Sequence, residues 1–208
     1  LPYLDFSLFR ENPKRICSYS DGTTILNAIW AKTGLCTYYG QNPGCFAEPT
    51  EYDRRQFAGH ILSDSMKLHE KNSLWRTLTP GKAEGVLCGG YTMNFCLLLG
   101  TEYFPVNPNE PHILFLEDHE KYSGLGQVSA FLARIEQSDF MRSVTGLIFG
   151  NYCDRPCPEL YARLKLLGER NHIPVVYCDD FGHGKNHAIL PIGAKAVLDA
   201  ENQTLRYQ

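Results

Sequence analysis

Apolar positions along the chain fall into two textures. Short continuous runs read as buried strands, and runs spaced three to four apart read as amphipathic helices. In the second half the two alternate. Val86-Leu87-Cys88 runs into Gly89-Gly90, Ile113-Leu114-Phe115-Leu116 delivers Glu117-Asp118 at its carboxyl end, and Val144 to Phe149 and Ile173 to Cys178 follow, the last ending in Asp179-Asp180. Between them, Phe95 to Leu99, Val128 to Ile135 and Leu160 to Leu167 carry helical spacing, the first closed by Gly100. The tail, Ala194 to Leu198 and Thr204 to Tyr207 around Asp199-Ala200-Glu201-Asn202, predicts two strands and a turn. A mixed α/β domain over 79–208 follows.

The first half centres on Ile16 to Trp30, a short strand turning abruptly into a helix with Ser20 at the corner. Ile25, Leu26, Ile29 and Trp30 supply one apolar helix face, and Gly34 closes the helix. Leu35 to Tyr39 reads as a second strand, broken by Gly40 and Asn42-Pro43-Gly44. This reads as the remainder of an α/β domain over 1–50, with its opening strands expected to lie outside the chain. The abrupt start at Leu1-Pro2 predicts a fragment or processed product of a longer chain. From Glu51 to Leu78, apolar residues at Phe57, Ile61, Leu62 and Met66 predict a helical linker, ended by Thr79-Pro80-Gly81.

Composition narrows the partners. The 208 residues are 43% hydrophobic and 21% charged with net charge −3, ordinary for a globular protein that buries a sizeable core. No Lys/Arg cluster offers a footprint for nucleic acid or an anionic membrane, so a small ligand is expected. No run approaches the roughly 18 apolar residues of a membrane span. Leu1 to Phe6 lacks the pattern of a signal peptide, and a cytoplasmic protein is expected. Of eight cysteines, Cys17, Cys36, Cys88, Cys96 and Cys178 lie inside apolar runs, where a reduced thiol behaves as a small hydrophobe. Cys153 and Cys157 flank three residues and lack a second pair, a poor match to zinc spacing.

Ser20, Glu117 and His183, the last in Phe181-Gly182-His183-Gly184, each arrive just after a strand-like run, where open α/β sheets place their sites. A hydroxyl, an imidazole and a carboxylate can serve as nucleophile, general base and orienter of that base. Taken singly, each has an ordinary reading: Ser20 an N-cap, Glu117 a cap or a partner for Lys121, and His183 a turn residue. Asp179, Asp180, His183 and His187 also crowd one span. Their glycine-rich loop does not place two histidines on one helix face, so no metal is expected. Trp75, in a polar stretch, is either packing or a wall on which a flat ligand stacks.

The motifs resemble the S66 peptidase family, the serine LD-carboxypeptidases, which includes the microcin C self-immunity proteins. Leu-Pro-Tyr-Leu-Asp at 1–5, Asn-Pro-Lys at 12–14, Tyr-Ser-Asp at 19–21 and Lys32-Thr33-Gly34-Leu35 look like its nucleophile region. Its second half is matched by Gly81-x-Ala83-x-Gly85-x-Leu87-x-Gly89-Gly90, Gly100-Thr101-x-Tyr103-x-Pro105, Ile113 to Asp118, Phe181-Gly182-His183 and Leu190-Pro191-Ile192-Gly193. The resemblance implies a Rossmann-like N-terminal domain with a smaller mixed α/β C-terminal domain, and a triad of Ser20, His183 and Glu117 between them. It also implies the Asp21 backbone N–H as one oxyanion donor, a second donor from a glycine-rich loop ahead of Leu1, no cofactor, and a homodimer. The chain departs from the family at four positions. Ser18 replaces glycine, Gly22 an isoleucine-like residue, Gln41 proline, and Tyr91 asparagine at a substrate-binding position.

The function implied is a serine hydrolase that cleaves an amide near the C-terminus of a small peptide, as in release of D-alanine from murein tetrapeptide. Within the family, an immunity-type amidase acting on peptidyl or aminoacyl nucleotide analogues is the alternative, favoured if Trp75 stacks on a base. Glu117-Asp118-His119-Glu120 and the stretch from Phe181 to His187 lean towards that branch. A binding remnant without turnover is a third, motivated by Ser18, Gly22 and the absent front strands.

Overall fold

The computed structural model describes residues 1–105, 107 and 109–208. Ten strands and six α-helices are found among the described residues. Strands β4 (Lys82–Tyr91), β5 (His112–Glu117), β6 (Val144–Asn151) and β7 (Val175–Gly182) lie parallel and adjacent. They are joined by helices α4 (Thr92–Leu98), α5 (Leu125–Glu136) and α6 (Pro158–Asn171). Each helix returns the chain to the start of the next strand, the connection a parallel sheet demands. β5 is buried along its whole length, which explains its continuous apolar run.

Antiparallel strands complete this seven-stranded sheet. β9 (Lys195–Asp199) and β10 (Thr204–Tyr207) extend it beyond β4, and β3 (Arg76–Thr79) pairs with β7 at the other edge. β3 nevertheless leads directly into β4 through Pro80-Gly81, and Thr77 Oγ1 donates to the Ala200 carbonyl at 2.5 Å. The two edges therefore curl towards one another. A core of Leu87, Ile113, Phe115, Leu147, Phe149 and Val176 fills the sheet's interior.

The first part of the chain gives α1 (Phe6–Glu11), β1 (Cys17–Ser18), α2 (Gly22–Thr33), β2 (Thr37–Tyr39) and α3 (Glu51–Phe57). β1 runs parallel to β2, and β2 pairs antiparallel with β8 (Leu190–Ile192), a strand from late in the sequence. α2 ends at Gly34 in the left-handed conformation, φ 76°. Leu26 and Ile29 are buried as the spacing predicts, whereas Ile25 is 43% exposed and lies off that face.

α2 is docked on the large sheet by buried polar contacts. Asn27 donates to the Gly89 carbonyl at 2.8 Å and accepts the Gly89 N–H at 3.2 Å. Thr23 Oγ1 donates to the Ser20 carbonyl and accepts the Tyr91 N–H. Such bonds contribute about 1 kcal/mol each and fix register more than stability. A Cβ on Gly90 would come within 2.4 Å of Thr23 Oγ1, so the strand must be glycine where the helix sits.

The helical linker predicted over 51–78 is shorter in the structure. α3 continues through a π-turn at Ala58–Leu62 and stops, and Lys67 to His69 then lies along β10 through the Tyr207 N–H to Lys67 and His69 N–H to Leu205 bonds. Pairing with an open strand edge satisfies the backbone there and overrides the helical spacing that Met66 continues. No helix among the described residues is long and apolar enough to cross a membrane.

Candidate active site

Ser20 stands in the corner between β1 and α2 with φ 56°, a left-handed conformation rare for a non-glycine residue. It costs roughly 1–3 kcal/mol and marks a corner held by its surroundings. The Gly22 N–H returns to the Tyr19 carbonyl and the Thr23 N–H to the Ser20 carbonyl, leaving the Asp21 N–H outside these turn bonds.

Glu117 is the last residue of β5, and His183 follows β7 directly. Parallel pairing brings the carboxyl ends of β4, β5, β6 and β7 to one edge, with Tyr91 opposite Glu117 and Asn151 opposite Gly182. Three residues spread over 163 positions thereby converge. Ser20 Oγ lies 3.1 Å from His183 Nε2, and His183 Nδ1 lies 2.9 Å from Glu117 Oε2. The Glu117 side chain is fully buried and that of His183 is 11% exposed. Gly182 has φ 105°, and a Cβ there would stand 3.1 Å from Glu117 Cβ and Oε2. Only glycine lets the chain turn this close to the carboxylate.

Four rings wall the imidazole. Tyr19, Tyr122, Tyr91 and His119 have centroids 4.6, 5.0, 5.2 and 6.4 Å from that of His183. Beside them opens a cavity of about 550 Å³, lined by Ser20, Asp21, Tyr91, Lys121, Tyr122 and His183 together with Met93 and Phe131. Tyr91 thus lines the cavity, and its hydroxyl lies 3.4 Å from Ser123 Oγ. Asp118, wholly buried behind this wall, accepts the His119 N–H at 2.8 Å, and burial pushes its carboxyl up to about 6.

Trp75 is placed elsewhere. It is 2% exposed and does not line this cavity. Its indole N–H donates to Asp180 Oδ2 at 2.6 Å, which satisfies the one polar atom of a ring otherwise packed in the core. Asp180 also faces His69 Nε2 at 3.0 Å and accepts the Asn72 N–H, so donors hold its carboxyl below the ordinary value despite burial. The residues weighed as a metal cluster are drawn apart: His187 Nδ1 faces Asp53, and Asp179 accepts from Asn151 and Tyr177. Among the described residues no group of three or more His, Cys, Asp or Glu is arranged to hold a metal. The eight cysteines carry free thiols.

Sequence reasoning took Lys121 only as an ion-pair partner for Glu117 and passed over Tyr122 and Phe131. It also passed over Tyr39, which is fully buried and reaches Glu117 from β2. Lys121 and Tyr122 had a signal available, since they follow a buried strand's carboxyl end within five residues.

Comparison with known proteins finds relatives over the whole chain. The profile of the LD-carboxypeptidase C-terminal domain matches residues 84–198, and that of the LD-carboxypeptidase N-terminal domain matches residues 1–40. A Treponema pallidum (strain Nichols) protein that carries a carboxypeptidase name is 29% identical, over 100% of this chain and 68% of its own length. The microcin C7 self-immunity protein MccF of Escherichia coli is 27% identical, over 99% of this chain and 68% of its own. The crystal structure of an MccF-like protein from Bacillus anthracis str. Ames superposes with TM-score 0.87 at 28% identity, covering 99% of this chain and 71% of that one.

Proposed function

Because the chain belongs to the S66 family, the LD-carboxypeptidases, we propose that Ser20, His183 and Glu117 hydrolyse an amide near the carboxylate-bearing end of a small peptide, as in release of D-alanine from murein tetrapeptide. The observation that carries this reading is the unbroken relay from Ser20 Oγ to His183 at 3.1 Å and on to Glu117 at 2.9 Å, beside an open cavity. Serine is not nucleophilic at neutral pH, so it must surrender its proton as it attacks. His183 Nε2 takes that proton, while Glu117 holds the Nδ1 proton and stabilises the imidazolium. The Asp21 N–H stabilises the oxyanion that forms on the scissile carbonyl. Collapse breaks the C–N bond, and the leaving amine takes the proton from His183. Water then repeats the sequence on the acyl-enzyme and releases the acid. Lys121, a cation on the cavity wall, suits the terminal carboxylate of such a peptide.

The second reading is the immunity-type amidase on aminoacyl or peptidyl nucleotide analogues. Tyr91 and Tyr122 favour it, because two tyrosine rings beside the imidazole offer a base a surface on which to stack. The homodimer belongs to the same family-based reading and is checked by light scattering.

The deciding experiment measures D-alanine release from murein tetrapeptide and cleavage of an aminoacyl sulfamoyl adenylate by the full chain and its Ser20→Ala variant. Turnover of either substrate that disappears in Ser20→Ala supports the relay and selects the branch. A folded protein that turns over neither would sink the hydrolase reading and leave a binding remnant.

A further inference from the structure

The relay of Ser20, His183 and Glu117 is one arc of a closed ring. Tyr39, at the end of β2, donates its hydroxyl to Glu117 Oε1 at 2.5 Å and accepts the Ser20 backbone N–H at 3.2 Å. The two carboxylate oxygens of Glu117 are thus divided, Oε2 to His183 and Oε1 to Tyr39. Four residues from four parts of the chain close one hydrogen-bonded circuit through the nucleophile's side chain and back to its own backbone.

Both ends of the Tyr39 contact carry a physical demand. Glu117 is buried without water access, and a buried carboxylate stays charged only when donors surround it. Ser20 holds a left-handed conformation whose N–H needs an acceptor in a part-buried corner. One hydroxyl answers both. Tyr39 is itself immobile, fully buried between β1 and β8, with its ring 5.6 Å from Phe115 and 5.9 Å from Tyr19. Burial and the neighbouring Glu117 carboxylate push its hydroxyl well above the ordinary value, so it remains a donor.

We propose that Tyr39 is a positioning residue for the reaction, holding Glu117 charged and turned towards His183 while fixing the Ser20 corner against the same carboxylate. This rests on the triad reading given above. Tyr39 does not line the cavity and touches no reacting atom, so it acts through Glu117 and through the Ser20 backbone. The groups facing Glu117 are His183 after β7, Tyr39 on β2, Tyr19 before α2, Tyr91 on β4 and the adjoining Asp118. Burial raises all three tyrosine hydroxyls, which leaves Asp118 as the other carboxyl beside the relay.

Removing the Tyr39 hydroxyl withdraws a donor from a buried anion, so the Glu117 and His183 couple takes up a proton more readily. In Tyr39→Phe, kcat is expected to fall about ten- to hundredfold, the range set by one hydrogen bond to a charged group, with KM within about twofold. The acid limb of the kcat/KM profile is expected to move to higher pH by about one unit, and to do so equally in an Asp118→Asn background. Incorporating 3,5-difluorotyrosine at position 39 keeps the packing and strengthens the donor, so the acid limb should move the other way. This second variant keeps the test decisive if Tyr39→Phe does not fold. An acid limb that stays in place in the folded variants, with kcat within twofold, overturns the role of Tyr39 while Ser20→Ala still abolishes turnover. Turnover that survives Ser20→Ala overturns the triad reading, and the Tyr39 proposal with it.

Discussion

Ser18 and Gly22 share one small volume. A Cβ on Gly22 would stand 2.2 Å from Ser18 Oγ and 2.6 Å from Ser18 Cβ, and the second of these cannot rotate away. The side chain that Ser18 adds at the end of β1 therefore occupies the space that a side chain on the first turn of α2 would fill. Ser18 and Gly22 thus trade volume across the corner.

A double-mutant cycle tests that exchange. Gly22→Ala alone overpacks the corner and is expected to cost roughly 1–3 kcal/mol. In a Ser18→Gly background the clash is gone, and alanine regains the roughly 0.5–1 kcal/mol by which it favours a helix over glycine. Urea denaturation should give a coupling of at least about 1 kcal/mol. Additive costs would show that the two positions do not compete for space.

Glu117→Gln keeps the shape of the buried side chain and removes its charge. The amide can present its N–H₂ to His183 and favour the wrong tautomer. A fall in kcat of roughly 10³–10⁴ is expected, with the fold intact by circular dichroism. A fall of less than about tenfold would mean that Glu117 is not what orients His183.

The alternation of β4 to β7 with α4 to α6 was legible because buried parallel strands and amphipathic helices each impose a period on the sequence. Ser20, Glu117 and His183 were legible for a related reason, since strand carboxyl ends announce themselves where an apolar run stops. What escaped depends on distant partners. β8 is three residues long and is a strand only because β2, some 150 positions earlier, accepts it. Tyr39 sits beside another tyrosine in a strand and reads as core, because its hydroxyl's purpose lies 78 residues away on Glu117. Trp75 sits in polar sequence that suggests exposure, while Asp180, 105 residues on, draws its indole inward.

Trp75→Phe separates packing from ligand stacking. The substitution keeps an aromatic ring and removes a donor from the buried Asp180 carboxylate, an expected loss of about 1–3 kcal/mol in unfolding free energy at pH 7. Those donors hold the folded-state value of Asp180 below that of the unfolded chain, so their contribution is present above the unfolded value and lost as pH falls through the folded one. The variant should therefore lose less stability than the parent on acidification below about pH 4. KM is expected to stay within about twofold, since Trp75 does not line the cavity. A large rise in KM at unchanged stability would restore the stacking role.

His60 and His112 set the response at milder acidity. Each is almost wholly buried, each has an Nε2 without a partner among the described residues, and burial lowers each to about 4. The unfolded chain binds a proton on each near pH 6.5, so between about pH 6.5 and 4 it holds protons that the fold excludes. Unfolding free energy must then rise with pH across that window. The contribution is full above it and lost as pH falls to about 4, at up to about 3 kcal/mol per histidine. Urea denaturation at pH 7 and pH 4.5 should show this loss, and a His60→Gln, His112→Gln double variant should flatten the slope by nearly two protons. An unchanged slope would show that His60 and His112 are not the source of the loss, and Asp180 cannot supply it, because its depressed folded-state value makes its contribution fail only at lower pH.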